Sequence, residues 1–233
     1  MMGSTSLPHL NDLEEEMHKV MVLIGEMTWP SAANRAQWHE HRAKGVLALR
    51  GLRRMVQNDV QEAVGRDHAL ASTQPVGMVE ELWFDTEPMM DELDEFIRPT
   101  AALPVFQASL VREHVVFHRP SGDKQCIKRL SFLQRHAAIS PTEFSNYWQQ
   151  VHAPLAHCHR HVARYTQNHA TPSPGALPLV FDGIAEFQIT DLAAMQADYA
   201  TDRGIAMRGD VANFASTVST YFVATQEFSC ARG

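Results

Sequence analysis

Residues 164–169 read RYTQNH, and the Gln167-Asn168 pair inside them stands 110 residues after Gln57-Asn58. Trp148 follows Trp38 at the same distance of 110. A chain that returns to the same anchors at one offset is built from a repeated unit, and a period this long makes that unit a small domain, not a solenoid repeat.

The repeat extends outward from these anchors. KVMVLIG (19–25) answers CIKRLSFLQ (126–134), GMVEELWF (77–84) answers GIAEFQ (183–188), and HVVFH (114–118) answers YFVAT (221–225). The patterning predicts strand 18–25, helix 31–45, strands 51–59 and 76–84, helix 86–96 and strand 110–118 in the first copy. In the second it predicts strand 126–134, helix 141–153, strands 161–169 and 180–188, helix 190–200 and strand 218–228. Ser140-Pro141-Thr142-Glu143 is a strong helix start, whereas His152-Ala153-Pro154 reads as a helix end, because proline disturbs the turn before it.

Each copy is therefore βαββαβ, the ferredoxin-like unit, and the chain is α+β. The helices cover one face of each sheet; the other face needs a partner, which the second copy supplies as a facing sheet or as the second half of a barrel. The expected divisions are an extension at 1–16, a domain at 17–119, a linker at 120–124 and a domain at 125–233. Residues 60–75 read as an insertion over one mouth of the first domain.

Composition narrows the function classes. A formal charge of −7 argues against a phosphate-binding surface, so no nucleic-acid partner is expected. The acidic N-terminus does not read as a signal peptide, no run reaches membrane-helix length, and three cysteines do not make a disulfide framework; the expected compartment is the cytoplasm.

The second half carries FLQRHAAISPTEFSNYWQQVHAPL (132–155), RYTQNH (164–169) and FDGIAEF (181–187). An aromatic pair followed by His-Ala-Pro, a strand ending in Gln-Asn-His and an Asp-Gly-x-Ala-Glu strand, in that order, resemble the EthD family of the dimeric α/β-barrel superfamily. The first half looks like a diverged copy, with Arg42 in place of His152 and Asp59 in place of His169. The resemblance implies two ferredoxin-like domains packed as an intrachain dimeric α/β barrel, with a further homodimeric pairing left open. It also implies a cofactor-independent lyase or isomerase of dehydratase, decarboxylase or cyclase type, acting on a small hydrophobic cyclic or carbonyl compound in degradation or secondary metabolism. Two other readings stand beside it: a non-catalytic small-ligand-binding or accessory protein, and a haem-binding enzyme, since related barrels hold haem through a histidine.

His152 is the expected general acid/base, placed at a helix C-terminus where the dipole favours its protonated form. Tyr147, five residues earlier, falls off its stripe but has a hydroxyl able to polarise a substrate oxygen. His169 and Glu186 are expected to pair across adjacent strands, since Glu186, between Ala185 and Phe187, must meet a cation, a donor or solvent. Arg42, Asp59 and Glu80, with His41, form the first copy's binding set, and Trp148 lies near His152 as core or substrate wall. Each of these positions also admits a structural reading, as a helix cap, a core aromatic or a buried ion pair. The run His157-Cys158-His159-Arg160-His161 has no zinc-like spacing and reads as solvated loop histidines beside an inert thiol, so no metal is expected.

Overall fold

The computed structural model describes residues 17–64, 75–100, 102–122, 125–172 and 177–229. The expected extension 1–16, most of the insertion at 60–75, the end of the linker and Cys230 lie outside them.

The chain runs β1 (His18–Ile24), α1 (Ala32–Leu47), β2 (Leu52–Ala63), β3 (Met78–Phe84), α2 (Asp94–Ile97) and β4 (Val105–His118). It continues as β5 (Ile127–Arg135), α3 (Pro141–Tyr147), a π-turn (Trp148–His152), α4 (Ala153–Leu155), a 3-10 turn (Ala156–Cys158), β6 (Val162–Thr171), β7 (Gly183–Ile189), α5 (Leu192–Asp198), α6 (Asp202–Asp210) and β8 (Ala215–Ser229).

The eight strands close into one antiparallel barrel in the order β1-β3-β2-β8-β5-β7-β6-β4. Within that ring each half keeps the ferredoxin-like order, β4-β1-β3-β2 and β8-β5-β7-β6, and the halves join through β2–β8 and β4–β6. Asn58 pairs with Thr225 across one seam and Asn168 with Glu113 across the other. Closure pairs every strand of the barrel on both sides, and the four strands that join the halves, β2, β4, β6 and β8, are the longest.

Local chemistry explains the helices. Ser31 caps α1 by accepting from the Asn34 amide, and Ser140 with Glu143 forms a full capping box on α3. The expected helix 86–96 shrinks to Asp94–Ile97, because Pro88 keeps its predecessor extended and residues 89–94 close only i→i−3 turns. The expected helix 190–200 ends at Asp198, and Thr201 caps a new helix, α6, by accepting from the Gly204 amide.

Strand alternation sends one set of side chains to the helices and the other into the barrel. Val20, Val22 and Ile24 pack beneath the first half's helices, while Met21 and Leu23 join Leu130, Phe132, Phe181 and Ile184 in an apolar plug inside the barrel. Gln107 anchors the plug, accepting from the amides of Val180 and Phe181 at 2.8 Å and donating to the Phe181 carbonyl at 3.0 Å.

On the helix side of the second half, Trp148 is fully buried and its ring lies against Gly183. A Cβ at Gly183 would overlap the indole, with two further ring carbons 3.0 and 3.2 Å away. Gly183→Ala is therefore expected to cost roughly 1–3 kcal/mol as overpacking. Denaturant titration checks this, and an unchanged midpoint would mean the indole can move aside.

Candidate functional site

The helix after Ser140 does not stop at His152; it passes Pro154 and runs to Cys158. In an α-helix the Pro154 ring would crowd the carbonyl four residues back. Here the turn before it is widened, with the Ala153 amide donating to Trp148 O, five residues back, and Gln167 Nε2 donating to the same oxygen at 3.0 Å. His152 thus lies within a continuous helical run, and the expected C-terminal dipole position is corrected.

The wide turn also shifts the helix phase, so that Tyr147 and His152, five residues apart, turn to one partner. Asp210, at the end of α6, accepts from Tyr147 Oη at 2.8 Å through one oxygen, and its other oxygen lies 2.9 Å from His152 Nδ1. Asn213 Nδ2 donates to Asp210 Oδ1 at 3.0 Å and to Tyr147 Oη at 3.2 Å. Burial raises the Asp210 carboxyl, but bonds from Tyr147, His152 and Asn213 outweigh it and hold the group below the usual aspartate range. The bond to that carboxylate, with some burial, pushes the Tyr147 phenol up, so Tyr147 keeps its proton. A carboxylate on Nδ1 selects the tautomer with the proton there, making Nε2 the basic nitrogen. Phe214 backs the cluster, 5.0 Å from the His152 ring and 5.5 Å from Tyr147.

His169 belongs to a different environment. It faces the helices with Tyr165 and Gln167, its Nδ1 2.6 Å from Ser145 Oγ and its ring 4.6 Å from Trp148. Burial first, then the charges of Arg112 and His114, push it down to about 3, so it is neutral near pH 7. The expected His169–Glu186 pair is not formed. In the β6–β7 register His169 stands opposite Gly183 and Glu186 opposite Thr166, and the two side chains point to opposite faces of the sheet. Trp148, offered as substrate wall, is fully buried core whose Nε1 donates to Tyr165 Oη at 3.1 Å.

In the first half the helix-side set is closed on itself. Arg42 makes a two-pronged ion pair with fully buried Glu80, Nη2 at 2.7 Å and Nε at 3.0 Å. Gln57 bridges Glu80 to His39, whose Nε2 lies 3.0 Å from Asp59, and Arg35 completes the chain 2.9 Å from Asp59. His39, not the exposed His41, is the histidine built into this face. The bond to Asp59 raises its pKa against the effect of burial. Arg42 is thus neutralised within the protein, and the ligand-binding role expected of it is not supported. The copies match position for position, Arg35–Asp59 standing where Ser145–His169 stand 110 residues later.

Glu186 points into the barrel, where Lys128 lies at 3.1 Å and Lys19 at 4.0 Å, satisfying the foreseen need for a cation. Fully buried Glu81 joins both lysines, at 2.6 Å to Lys19 and 2.5 Å to Lys128. These four groups edge a cavity of about 210 Å³ at one mouth of the barrel, above the apolar plug. Burial disfavours the Lys19 ammonium, yet Glu113, Glu81 and Glu186 raise its pKa above the ordinary lysine value; Glu81 is held well below the usual carboxylate range. Sequence reasoning missed Lys19, Lys128, Glu81 and Asp210.

The histidine run is only partly solvated: His159 is fully buried with Nε2 3.1 Å from Met207 Sδ, and burial with the Arg129 charge pushes it down to about 4. Buried position, not spacing, decides its surroundings, which corrects the solvated-loop reading at that residue. Burial also raises the Cys158 thiol. Among the described residues no group of three or more His, Cys, Asp or Glu could hold a metal, and no helix is long and apolar enough to cross a membrane.

Residues 136–217 match the model of the EthD domain. Among solved structures, an anthrone oxidase-like protein is 13% identical, with 94% of this chain and 98% of that one covered at a TM-score of 0.60. A putative monooxygenase from Fusobacterium nucleatum is 5% identical, with 91% and 94% covered at 0.53. An EthD family protein from Bacillus halodurans is 18% identical and is covered over 99% of its length, against 46% of this chain, at 0.34. The first two share the fold of this chain. A search of curated proteins found no sequence match.

Proposed function

We propose, from the match of residues 136–217 to the EthD domain model and their place in the closed eight-stranded barrel, that the second half is catalytic, moving a proton on a small cyclic carbonyl compound as a lyase or isomerase does. One observation carries this reading: a single carboxylate, Asp210, engages His152 Nδ1 and Tyr147 Oη together. That arrangement gives a base with a fixed tautomer and a partner for the imidazolium that forms when it takes a proton. Nε2 removes a proton from carbon next to the carbonyl, leaving the electron pair as an enolate. Returning the proton at a different carbon completes an isomerisation; expelling a β-substituent, to which the imidazolium can give the proton, completes an elimination. The anthrone oxidase-like relative suggests a fused-ring ketone as the first class to try.

Deuterium uptake at the α-carbon of 1-tetralone in D2O, followed by NMR, tests this reading. His152→Ala should slow enzyme-dependent exchange by roughly 10²–10⁴-fold, Asp210→Asn should fall with it, and Tyr147→Phe should fall less. Full exchange by a folded His152→Ala variant, or a wild type no faster than free imidazole at equal concentration, would sink the proposal.

A further inference from the structure

The chemistry that the two halves share lies inside the barrel. Lys19 stands opposite Trp83 as Lys128 stands opposite Gln188, and Glu81 opposite Met21 as Glu186 stands opposite Leu130. Arg54 and Arg164 occupy matching positions on β2 and β6. Each half thus delivers a lysine, a glutamate and an arginine to equivalent interior sites, whereas the helix-side pairs Arg42/His152 and Asp59/His169 differ.

Buried ion pairs are a costly filling compared with apolar side chains of similar size. The plug below, with Met21, Leu130 and Phe132, demonstrates that this barrel can be filled by apolar groups. Instead the charged layer surrounds about 210 Å³ of open space, room for roughly seven waters at about 30 Å³ each.

The chamber's charges balance. The inner lysines and glutamates are matched two against two, and the outer pairs Arg54–Glu227 and Arg164–Glu113 are matched one to one. A guest of single charge would therefore leave an uncompensated charge in the barrel, and an apolar guest would dehydrate the walls without replacing their bonds. Lys19 already places three contacts, on Glu81, Glu113 and Asn168. Lys128 places two, on Glu81 and Glu186, and the Glu186 oxygen turned to Lys19 is 4.0 Å away. One ammonium hydrogen and one carboxylate oxygen thus remain weakly used on neighbouring strands, beside the cavity-lining amide of Gln188.

From this juxtaposition we propose that the chamber binds a small zwitterion of the α-amino-acid type, its carboxylate on Lys128 and Gln188 and its ammonium on Glu186. The site is independent of the His152 cluster, which lies on the helix side of the sheet.

Calorimetric titration of the full chain with L-alanine, acetate and methylammonium tests the assignment. L-Alanine should saturate the protein while the two singly charged probes do not bind at the same concentrations. Glu186→Gln should weaken L-alanine at least about tenfold, a loss of about 1.4 kcal/mol, and let acetate bind. Gln188→Leu, which leaves every ion pair in place, should weaken L-alanine without shifting the thermal midpoint. Absence of L-alanine binding, acetate or methylammonium binding equally well to the wild type, or unaltered binding by Gln188→Leu would each overturn the proposal. Loss of deuterium exchange in His152→Ala with L-alanine binding intact would separate this site from the proposed catalytic one.

Discussion

Lys19→Met is expected to lower the unfolding free energy by about 3–5 kcal/mol, the usual cost of removing one partner from a buried charged network. Methionine has similar bulk and is apolar, so packing alone would predict a small effect. The loss comes from what remains: Glu81, only 1% exposed, and Glu186 would each face one lysine instead of two, and Glu113 would keep only Arg164 as its cation. Because the folded-state pKa of Glu81 lies below its ordinary value, its stabilisation is fully present above that ordinary value and is lost only as pH falls through the folded one. In the variant the carboxylates should take up protons much more readily, so the deficit should shrink as pH is lowered from 7 towards 5. Adding Glu81→Gln should recover part of the loss, giving a coupling energy between the two sites. Denaturant titrations of the four proteins of the cycle measure this directly. A Lys19→Met loss below about 1 kcal/mol, the range of exposed pairs, would show that the network is solvated and not a buried charge cluster.

The same lysines show why part of this molecule was hidden in its sequence. The offset of 110 between Gln57 and Gln167 was enough to give two ferredoxin-like halves, because each glutamine occupies the same helix-facing strand position. Lys19 and Lys128 sit at the starts of apolar strand runs, where a lone lysine ordinarily faces water. Closing the sheet into a barrel turns that face inward, so a position that looks solvated becomes the centre of the molecule. Glu186 was recognisable as a group needing a cation, but its partner comes from β1 and β5, not from His169 on the neighbouring strand. Asp210 lay beyond reach for another reason: it ends a helix containing Gly204 and Gly209, poor helix formers, and lies 58 residues from His152. Pro154 was a sound stop signal locally; only the widened turn ahead of it lets the helix continue and brings Tyr147 and His152 to one carboxylate.

Acidification should destabilise the protein from about pH 6.5 downward, before most carboxylates titrate. His169 is depressed to about 3 and His159 to about 4, so the unfolded chain binds protons on both near pH 6.5 while the folded chain refuses them. Where the unfolded state holds more protons, stability falls as pH falls, and here that window runs from about 6.5 to the folded values. Each unit of depression is worth about 1.4 kcal/mol, so a loss on the order of a few kcal/mol by pH 4 follows from the two histidines. His39 acts with the opposite sign: its pKa is raised, so its stabilisation is complete below about 6.5 and lost as pH climbs through its folded value. Its bond to Asp59 therefore acts above the acid limb and leaves the slope of that limb to the two depressed histidines. His169→Gln keeps a hydrogen-bonding side chain next to Ser145 but removes the titration. That variant should be less sensitive than the wild type between pH 6.5 and 4, whatever its stability at pH 7. His39→Gln should instead leave that limb unchanged and flatten the alkaline side, above about pH 6.5. Guanidinium midpoints measured from pH 8 to 4 decide the matter, and an acid limb with the same slope in His169→Gln as in the wild type would mean that His169 is open to protons in the folded protein.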